Sequence, residues 1–287
     1  MPFSWDWLEP VVQVPYVPTL GPVHPTALGP NLFADILAVA GTGRFLPYDK
    51  DQRWAAQKDE SVLADAVVHT REHTLIPTLA HRGQGQVTVY AYGMVRDAAE
   101  LAAKLAVAHQ AATARVVIFQ PPDELPPAGS SATRIQLREF EGTRRQDQPA
   151  RVQAVADLPE PVRETFTAFT NRLACDGFAF LYQQMQRGAV GPVLTVVGGG
   201  RVVGAIGPME TMVDSAGATR LLPQYFGVLP EHRGHGHGRT LWRAAMAWGT
   251  FHGADYQLLQ TETGGASDRL CQAEGLASLG FVTTTKL

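Results

Sequence analysis

The sequence predicts a protein of the α/β class in which two domains each combine a mixed sheet with helices. Short runs of β-branched and aromatic residues alternate with longer segments whose apolar residues recur at helical spacing. A proline-rich segment at residues 121–131 has the composition of an interdomain linker. Residues 224–251 have the pattern of a strand, a glycine-rich loop and a helix. We therefore predict a smaller N-terminal α/β domain at residues 1–120, the linker at 121–131 and a second domain at 132–287.

Length and composition fit this arrangement and exclude several classes of protein. A chain of 287 residues has room for one large or two ordinary domains, and its 45% hydrophobic content allows a sizeable core. The net charge of −3 gives no electrostatic reason to expect nucleic acid as a partner. The two cysteines, Cys175 and Cys271, do not suggest a disulfide framework and are predicted to be buried thiols. No apolar stretch is long enough to cross a membrane, so we expect a cytoplasmic protein.

The N-terminal domain is predicted from its apolar periodicity. Residues 1–30 are rich in proline and aromatic residues and are expected to form an extended arm on the surface. Helices are predicted at 31–40, 59–68 and 96–110, and strands at 74–79, 86–92 and 114–119. The strand–helix–strand order at 86–119 has two interpretations, a degenerate copy of the C-terminal core or an unrelated small α/β domain.

The second domain is predicted to begin with a strand at 132–140. Helices at 158–173 and 178–185 follow, and a hairpin turn at Gly198–Gly200 joins strands at 192–197 and 201–209. The next strand starts at residue 224 and stops at Pro230, which has no N–H for a sheet ladder. A helix to about residue 253, a strand at 256–261 and a helix at 267–278 complete the domain.

The glycine-rich loop has the composition of an anion-binding site. Gly234, Gly236 and Gly238 lack Cβ atoms, so a phosphate can approach the backbone where the helix begins. Arg233 and Arg239 add positive charge that suits phosphate oxygens. A dinucleotide motif would need a third glycine where Leu241 stands, and a Walker A loop would need a lysine in place of Arg239. The motif therefore indicates diphosphate recognition outside both of those folds.

The segment Val228-x-Pro230-x-x-Arg233-Gly234-x-Gly236-x-Gly238 resembles the acyl-CoA signature of the GNAT N-acetyltransferase superfamily. Leu279-Gly280-Phe281 is similar to the family's closing Leu-Gly-Phe. The resemblance implies a C-terminal GNAT fold with splayed central strands. If the strand–helix–strand at 86–119 is a degenerate copy of the C-terminal core, the N-terminal domain is GNAT-like as well. It also implies acetyl-CoA or another acyl-CoA as cosubstrate and a small-molecule amine as acceptor.

The resemblance also implies roles for particular residues. The backbone of Phe226, Gly227 and Val228 would hold pantetheine and polarise the thioester. The diphosphate would be held by a loop that comprises Arg233, Gly234, His235, Gly236, His237, Gly238, Arg239 and Thr240. Candidate catalytic groups are Glu210, Glu262 and Tyr225. The usual tyrosine acid, counted from Gly280, is replaced by Leu276.

Several alternatives remain open at this stage. Transfer to a hydroxyl would use the same pocket, and Leu276 favours a module that binds acyl-CoA without catalysis. The spacing of His232, His235 and His237 also suits a metal site, although no fixed fourth ligand is evident in the sequence. The N-terminal domain has two open roles, covering the acceptor site or forming a homodimer contact.

Overall fold

The computed structural model describes residues 4–39, 59–81, 83–95, 97–127, 131–140, 151–188 and 190–287. They form a mixed α/β fold, as predicted. The chain divides into two compact units, each composed of separate stretches of sequence. The first comprises Met1–Arg138, Asp214–Ala216 and Leu258–Leu287, and the second comprises Glu139–Val213 and Gly217–Gln257. The predicted domains at residues 1–120 and 132–287 are continuous stretches of sequence, whereas the compact units are defined by contacts in space. The division into domains on either side of residues 121–131 therefore stays a prediction.

The first unit contains a mixed sheet and three of the helices. Its strands are β1 (Tyr16–Val17), β2 (Gly21–Pro22), β3 (Glu60–Val62), β4 (Val68–His69), β5 (His73–Ala80), β6 (Gln86–Gly93), β7 (Thr113–Gln120), β8 (Ala132–Glu139), the later part of β15 (Tyr256–Glu262) and β16 (Ala277–Lys286). Its helices are α1 (Pro30–Val39), α2 (Ala98–Ala108) and α6 (Ala266–Ala273). The strand order is β15, β8, β16, β7, β6, β5 and β3, with β4 also paired to β5.

The predicted strand–helix–strand at 86–119 is confirmed as β6, α2 and β7. Strands β6 and β7 are parallel, with Gln86 beside Thr113, and the small residues Ala98 and Ala102 of α2 are buried against them. The predicted helix at 59–68 is wrong, because this segment forms β3, a 3₁₀ turn and β4. Pairing with β5 outweighs the weak helical periodicity of a segment that contains Val62, Val67 and Val68.

The N-terminal segment is not the surface arm that its composition predicted. An apolar residue at every third position is buried: Leu8, Val11, Val14, Val17, Leu20 and Val23. The hydroxyl of Tyr92 donates a hydrogen bond to the carbonyl of Tyr16 at 2.8 Å, which ties the segment to β6. The proline content predicted an extended backbone on the surface. Burial of each of these apolar side chains, however, stabilises the folded protein by roughly 1.5–3 kcal/mol. The segment is therefore part of the core of the first unit.

The second unit contains a four-stranded sheet with helices on both faces. The strands of the four-stranded sheet are β9 (Val152–Ala154), β10 (Leu194–Gly198), β11 (Arg201–Gly207) and β14 (Tyr225–Val228). The unit also contains the hairpin of β12 (Thr211–Val213) and β13 (Thr219–Leu221). Its helices are α3 (Glu160–Arg172), α4 (Phe178–Gln186) and α5 (His237–Phe251). The sheet order is β9, β10, β11 and β14, all antiparallel. The hairpin β12–β13 was not predicted, and β13 pairs in parallel with the first residues of β15.

Two glycines allow helices to pack closely on both faces of this sheet. A Cβ at Gly227 of β14 would meet Leu173 Cδ1 at 2.8 Å and Phe178 Cε2 at 2.9 Å, on the face covered by α3 and α4. A Cβ at Gly204 of β11 would meet Leu241 Cδ1 of α5 at 3.0 Å. On α5, Leu241 and Ala245 are buried, whereas Phe251, the last residue of the helix, is 74% exposed. Cys175 is exposed, contrary to the prediction, and Cys271 is buried.

Helix α6 ends earlier than the predicted residue 278. Gly275 has φ +80°, a left-handed conformation that commonly terminates helices, and β16 begins two residues later. Leu279-Gly280-Phe281 therefore lies inside a strand, where Phe281 is opposite Gln120 of β7 and Arg134 of β8. Pairing with strands on both sides outweighs continuation of the helix.

A buried carboxylate connects α6 with the strands beside it. Asp268 is 3% exposed and accepts from Arg134 Nε at 2.9 Å, Gln136 Nε2 at 3.1 Å and Thr261 Oγ1 at 3.1 Å. Its other oxygen accepts from the amide of Gly264 at 2.8 Å. This network fixes the turn that follows β15.

Candidate functional site

Strand β14 has an open backbone edge in the second unit. Among the described residues its single strand neighbour is β11. The amide of Leu229 donates to the carbonyl of Val203 at 2.9 Å. Along an antiparallel strand, residues whose backbone N–H and C=O face the partner strand alternate with residues whose backbone groups face away from it. With Val228 beside Gly204 and Gly227 beside Ala205, the backbone groups of Gly227 face β11. The N–H and C=O of Phe226 and the N–H of Val228 therefore face the open edge.

Arg233 closes the end of this strand. Its Nε donates to the carbonyl of Val228 at 3.0 Å, so this arginine contributes to the shape of the loop. Gly234 and Gly236 follow with φ of +80° and +81°, values that L-residues with a Cβ rarely adopt. A Cβ at either position would meet nothing within 4 Å, so these glycines are required by backbone conformation.

The glycine-rich loop leads directly into the N-terminus of α5. Gly236 is the N-cap residue, and the first intrahelical bond runs from Thr240 N to Gly236 O at 3.0 Å. The hydroxyl of Thr240 donates to the same carbonyl, so the amide and hydroxyl of Thr240 both serve the helix. The amides of His237, Gly238 and Arg239 precede that first bond and lie at the positive end of the helix dipole. This end is where an anion is stabilised.

Two arginines meet a carboxylate at the turn that precedes the glycines. Arg172 of α3 makes a bidentate ion pair with Glu231, and Arg201 of β11 lies 4.0 Å from the same carboxylate. The hydrogen bonds from Arg172 lower the pKa of Glu231 to about 2. The pair anchors the turn that precedes the glycines to α3, and no local pattern predicts it because Arg172 and Glu231 are 59 residues apart.

The three candidate catalytic residues fall in different units. Glu210 and Tyr225 belong to the second unit with the glycine-rich loop, whereas Glu262 ends β15 in the first. The carboxylate of Glu210 accepts from the amide of Gly191 at 2.9 Å. Tyr225 packs against Phe178 with ring centroids 6.3 Å apart, and its ring occupies the space where a Cβ of Gly177 would lie. Both residues thus have a structural contact in addition to the role predicted for them.

Two buried residues, Leu276 and Cys271, lie near the end of α6. Leu276, found by counting from Gly280, is buried in the turn between α6 and β16. Cys271 lies in the last turn of the helix. Burial, followed by the charges of Asp268 and Glu274, raises the pKa of this thiol to about 12. Cys271 is therefore a neutral thiol near neutral pH.

Gln224 and Gln257 link the residue before β14 to the start of β15. The side-chain NH₂ of Gln224 donates to Leu222 O, which fixes the orientation of its amide. Its oxygen therefore accepts from Gln257 Nε2 at 2.8 Å. Gln257 is fully buried, and its Oε1 has no hydrogen-bond partner among the described residues. No pattern in the sequence predicts this pair, because the two residues are 33 positions apart.

The described residues lack two further features. None of the helices has both the length and the apolar content needed to cross a membrane. In the same part of the chain, no group of three or more His, Cys, Asp or Glu side chains is arranged to hold a metal ion.

Comparison with known proteins supports the interpretation of the segment that contains β14, the glycine-rich loop and α5. Residues 161–272 match the model of the acetyltransferase (GNAT) family. No curated protein sequence matches the chain.

The chain also has likenesses among solved structures. A GCN5-related N-acetyltransferase from Sphaerobacter thermophilus is 14% identical, with 77% of this chain and 81% of that chain covered and a TM-score of 0.46. A tandem GNAT protein from the clavulanic acid biosynthesis pathway is 16% identical over 89% and 94% of the two chains, with a TM-score of 0.45. Likenesses of this size leave the activity open, and the family assignment rests on the sequence match. Residues 161–272 of this chain form a domain of the GNAT acetyltransferase family.

Proposed function

We propose that the protein transfers an acyl group, most simply acetyl, from CoA to the amine of a small molecule. The observation that carries this proposal is the continuity of two binding elements in one unit. The open edge of β14, with the backbone groups of Phe226 and Val228, leads within ten residues to the N-terminus of α5. Such an arrangement suits a ligand with an amide-containing arm and a diphosphate.

Each part of the site supplies a different interaction. The exposed N–H and C=O of Phe226 would pair with the pantetheine amides, and the N–H of Val228 is the candidate donor to the thioester carbonyl. The amides of His237 and Gly238 would bind the diphosphate. The acceptor nitrogen attacks the carbonyl carbon, the C–S bond breaks, and CoA leaves as a thiolate. The ammonium gives up its proton to a base, and the thiolate receives one.

Binding and turnover can be tested separately. In a thermal-shift titration, acetyl-CoA and CoA are expected to raise the unfolding midpoint, whereas NAD is not. A ligand that binds only the folded state adds about 2.7 kcal/mol at a hundredfold excess over its Kd. Release of free thiol from acetyl-CoA with a panel of amines then tests for transfer. The absence of a shift with either CoA species would overturn the proposal.

A module that binds acyl-CoA without catalysis is the second candidate. It is favoured by the hydrogen bond between Glu210 and Gly191, which gives one candidate base a structural role. Acyl transfer to a hydroxyl is a variant of the first proposal and is tested by adding alcohols to the same panel. Binding of acetyl-CoA without thiol release for any amine or alcohol would support the module.

The two candidate bases can be separated by their pH–rate profiles. If Glu210 is the base, Glu210→Gln is expected to lower kcat/KM by about 10²–10⁴-fold and to remove the acidic limb of the profile. Glu262→Gln is the matched control and is expected to leave both unchanged. The opposite pattern would assign the role to Glu262, and two unaltered profiles would exclude both carboxylates.

A further inference from the structure

Three histidine side chains lie together around the start of α5. The ring centroid of His237 is 6.2 Å from that of His235 and 6.4 Å from that of His232. The spacing follows from the loop, since the two glycines with positive φ fold the chain back between these residues. All three histidines occupy unspecified positions of the segment Val228-x-Pro230-x-x-Arg233-Gly234-x-Gly236-x-Gly238 that resembles the acyl-CoA signature.

The surroundings of the cluster are mainly cationic. Arg201 Nη2 lies 3.4 Å from His232 Nε2, and Arg151, which precedes β9, acts electrostatically on His237. On α5 itself, Arg239 is two residues beyond His237. The nearby carboxylate is Glu231, which is engaged by Arg172 and Arg201. The cluster therefore lies in a region with an excess of positive charge.

This environment disfavours the protonated form of His237. Partial burial, then the charges of His232, His235 and Arg151, lower the pKa of His237 below its ordinary value. The position of His237 as the first residue of α5 acts in the same direction, because an imidazolium there faces the positive end of the helix dipole. A dianion bound at this position would instead favour the protonated form of His237, because it attracts the imidazolium and offsets the charge of the neighbouring cations.

We propose that His232, His235 and His237 form part of the diphosphate site and that the site takes up a proton when the diphosphate binds. This inference rests on the proposed function, because it assumes that the diphosphate of CoA is held at the start of α5. The ligand class is a diphosphate diester, and the proton is accepted by a histidine of the cluster, first of all His237.

The direction of the pH dependence follows from linkage. A ligand that binds the protonated form more tightly gains affinity as pH falls through the histidine pKa of the complex. The gain stops below the pKa of the free protein. The flanking arginines stay charged throughout, and Glu231 stays ionised because Arg172 holds its pKa near 2. Histidine is the side-chain type that ordinarily changes its charge near physiological pH, so His237 is the first acceptor to test.

Dephospho-CoA is the probe that isolates this effect. The 3′-phosphate of CoA has a second pKa near 6 and would add its own pH dependence, whereas a diphosphate diester keeps a constant charge. Isothermal titration calorimetry of dephospho-CoA in buffers of different ionisation enthalpy measures the protons taken up per ligand. We expect uptake between zero and one at neutral pH and a Kd that rises three- to tenfold from pH 6 to pH 8.

Variants assign the proton to the cluster. His237→Gln is expected to reduce the uptake and flatten the Kd profile, and the triple variant His232→Gln, His235→Gln, His237→Gln to remove both effects. His252→Gln, at the opposite end of α5, is the control and is expected to behave as wild type. Uptake that persists in the triple variant would overturn the inference, as would pH-independent binding by the wild type. A failure of both CoA and dephospho-CoA to bind at any pH would instead overturn the proposed function.

Discussion

Replacement of Gly236 by glutamate is expected to abolish binding of acetyl-CoA. The substitution places a carboxylate at the N-cap of α5, where the proposed diphosphate would lie against the first amides of the helix. At an effective dielectric constant near 20, two unit charges 4 Å apart repel by about 4 kcal/mol. A weakening of at least a hundredfold, about 2.7 kcal/mol, is therefore expected in a calorimetric or thermal-shift titration.

A second glycine provides the control for backbone strain. Gly217, in the turn between β12 and β13, has φ +86° and open space around it, as Gly236 does at φ +81°. Gly217→Glu thus introduces the same charge and a similar strain away from α5. It is expected to lower the unfolding midpoint about as much as Gly236→Glu and to leave the affinity unchanged. Wild-type affinity in Gly236→Glu would show that the diphosphate is bound elsewhere.

Replacement of Asp268 by alanine is expected to lower the free energy of unfolding more than any of the other substitutions proposed for this protein. The carboxylate is 5% exposed and pairs with Arg134, whose side chain is 14% exposed. Its loss removes the anionic partner of a largely buried guanidinium and one acceptor each from the amide of Gln136 and the N–H of Gly264. Removal of one partner of a buried ion pair typically costs about 3–5 kcal/mol. Urea denaturation of the variant should show a loss of this size.

Asp123→Ala is the matched control, since Asp123 is exposed in the segment after β7 of the same unit. Its free energy of unfolding is expected to change by no more than about 0.5 kcal/mol. If the two alanine variants unfold at the same urea concentration, the network does not stabilise the unit. Asp268→Asn, which keeps the shape but loses the charge, is expected to fall between them.

Elements with strong local signals were predicted well from the sequence. The strand at 225–228, its end at Pro230, the positive-φ glycines and the helix to residue 251 appear in the structure where their residues indicated. The strand–helix–strand at 86–120 was equally clear, because its apolar residues follow first the period of a strand and then that of a helix. The candidate diphosphate site belongs to this group, since it is made from the backbone of consecutive residues.

Other features depended on residues far apart in the chain. The segment at 59–68 forms strands because β5 pairs with it, and the N-terminal segment is buried because the first unit offers an apolar surface. Gln136 donates to Thr261 at 2.6 Å across 125 residues of sequence. No local pattern marks such a contact.

The sequence by itself thus determined the fold class, the GNAT resemblance and the position of the glycine-rich loop. These are encoded in short runs through residue size, backbone freedom and apolar period. Only the tertiary structure decided which edge of β14 is open, that Glu210 is bound to Gly191, and that three histidines meet at α5. Those facts depend on strand pairing and chain reversal, which bring side chains together irrespective of their spacing in sequence.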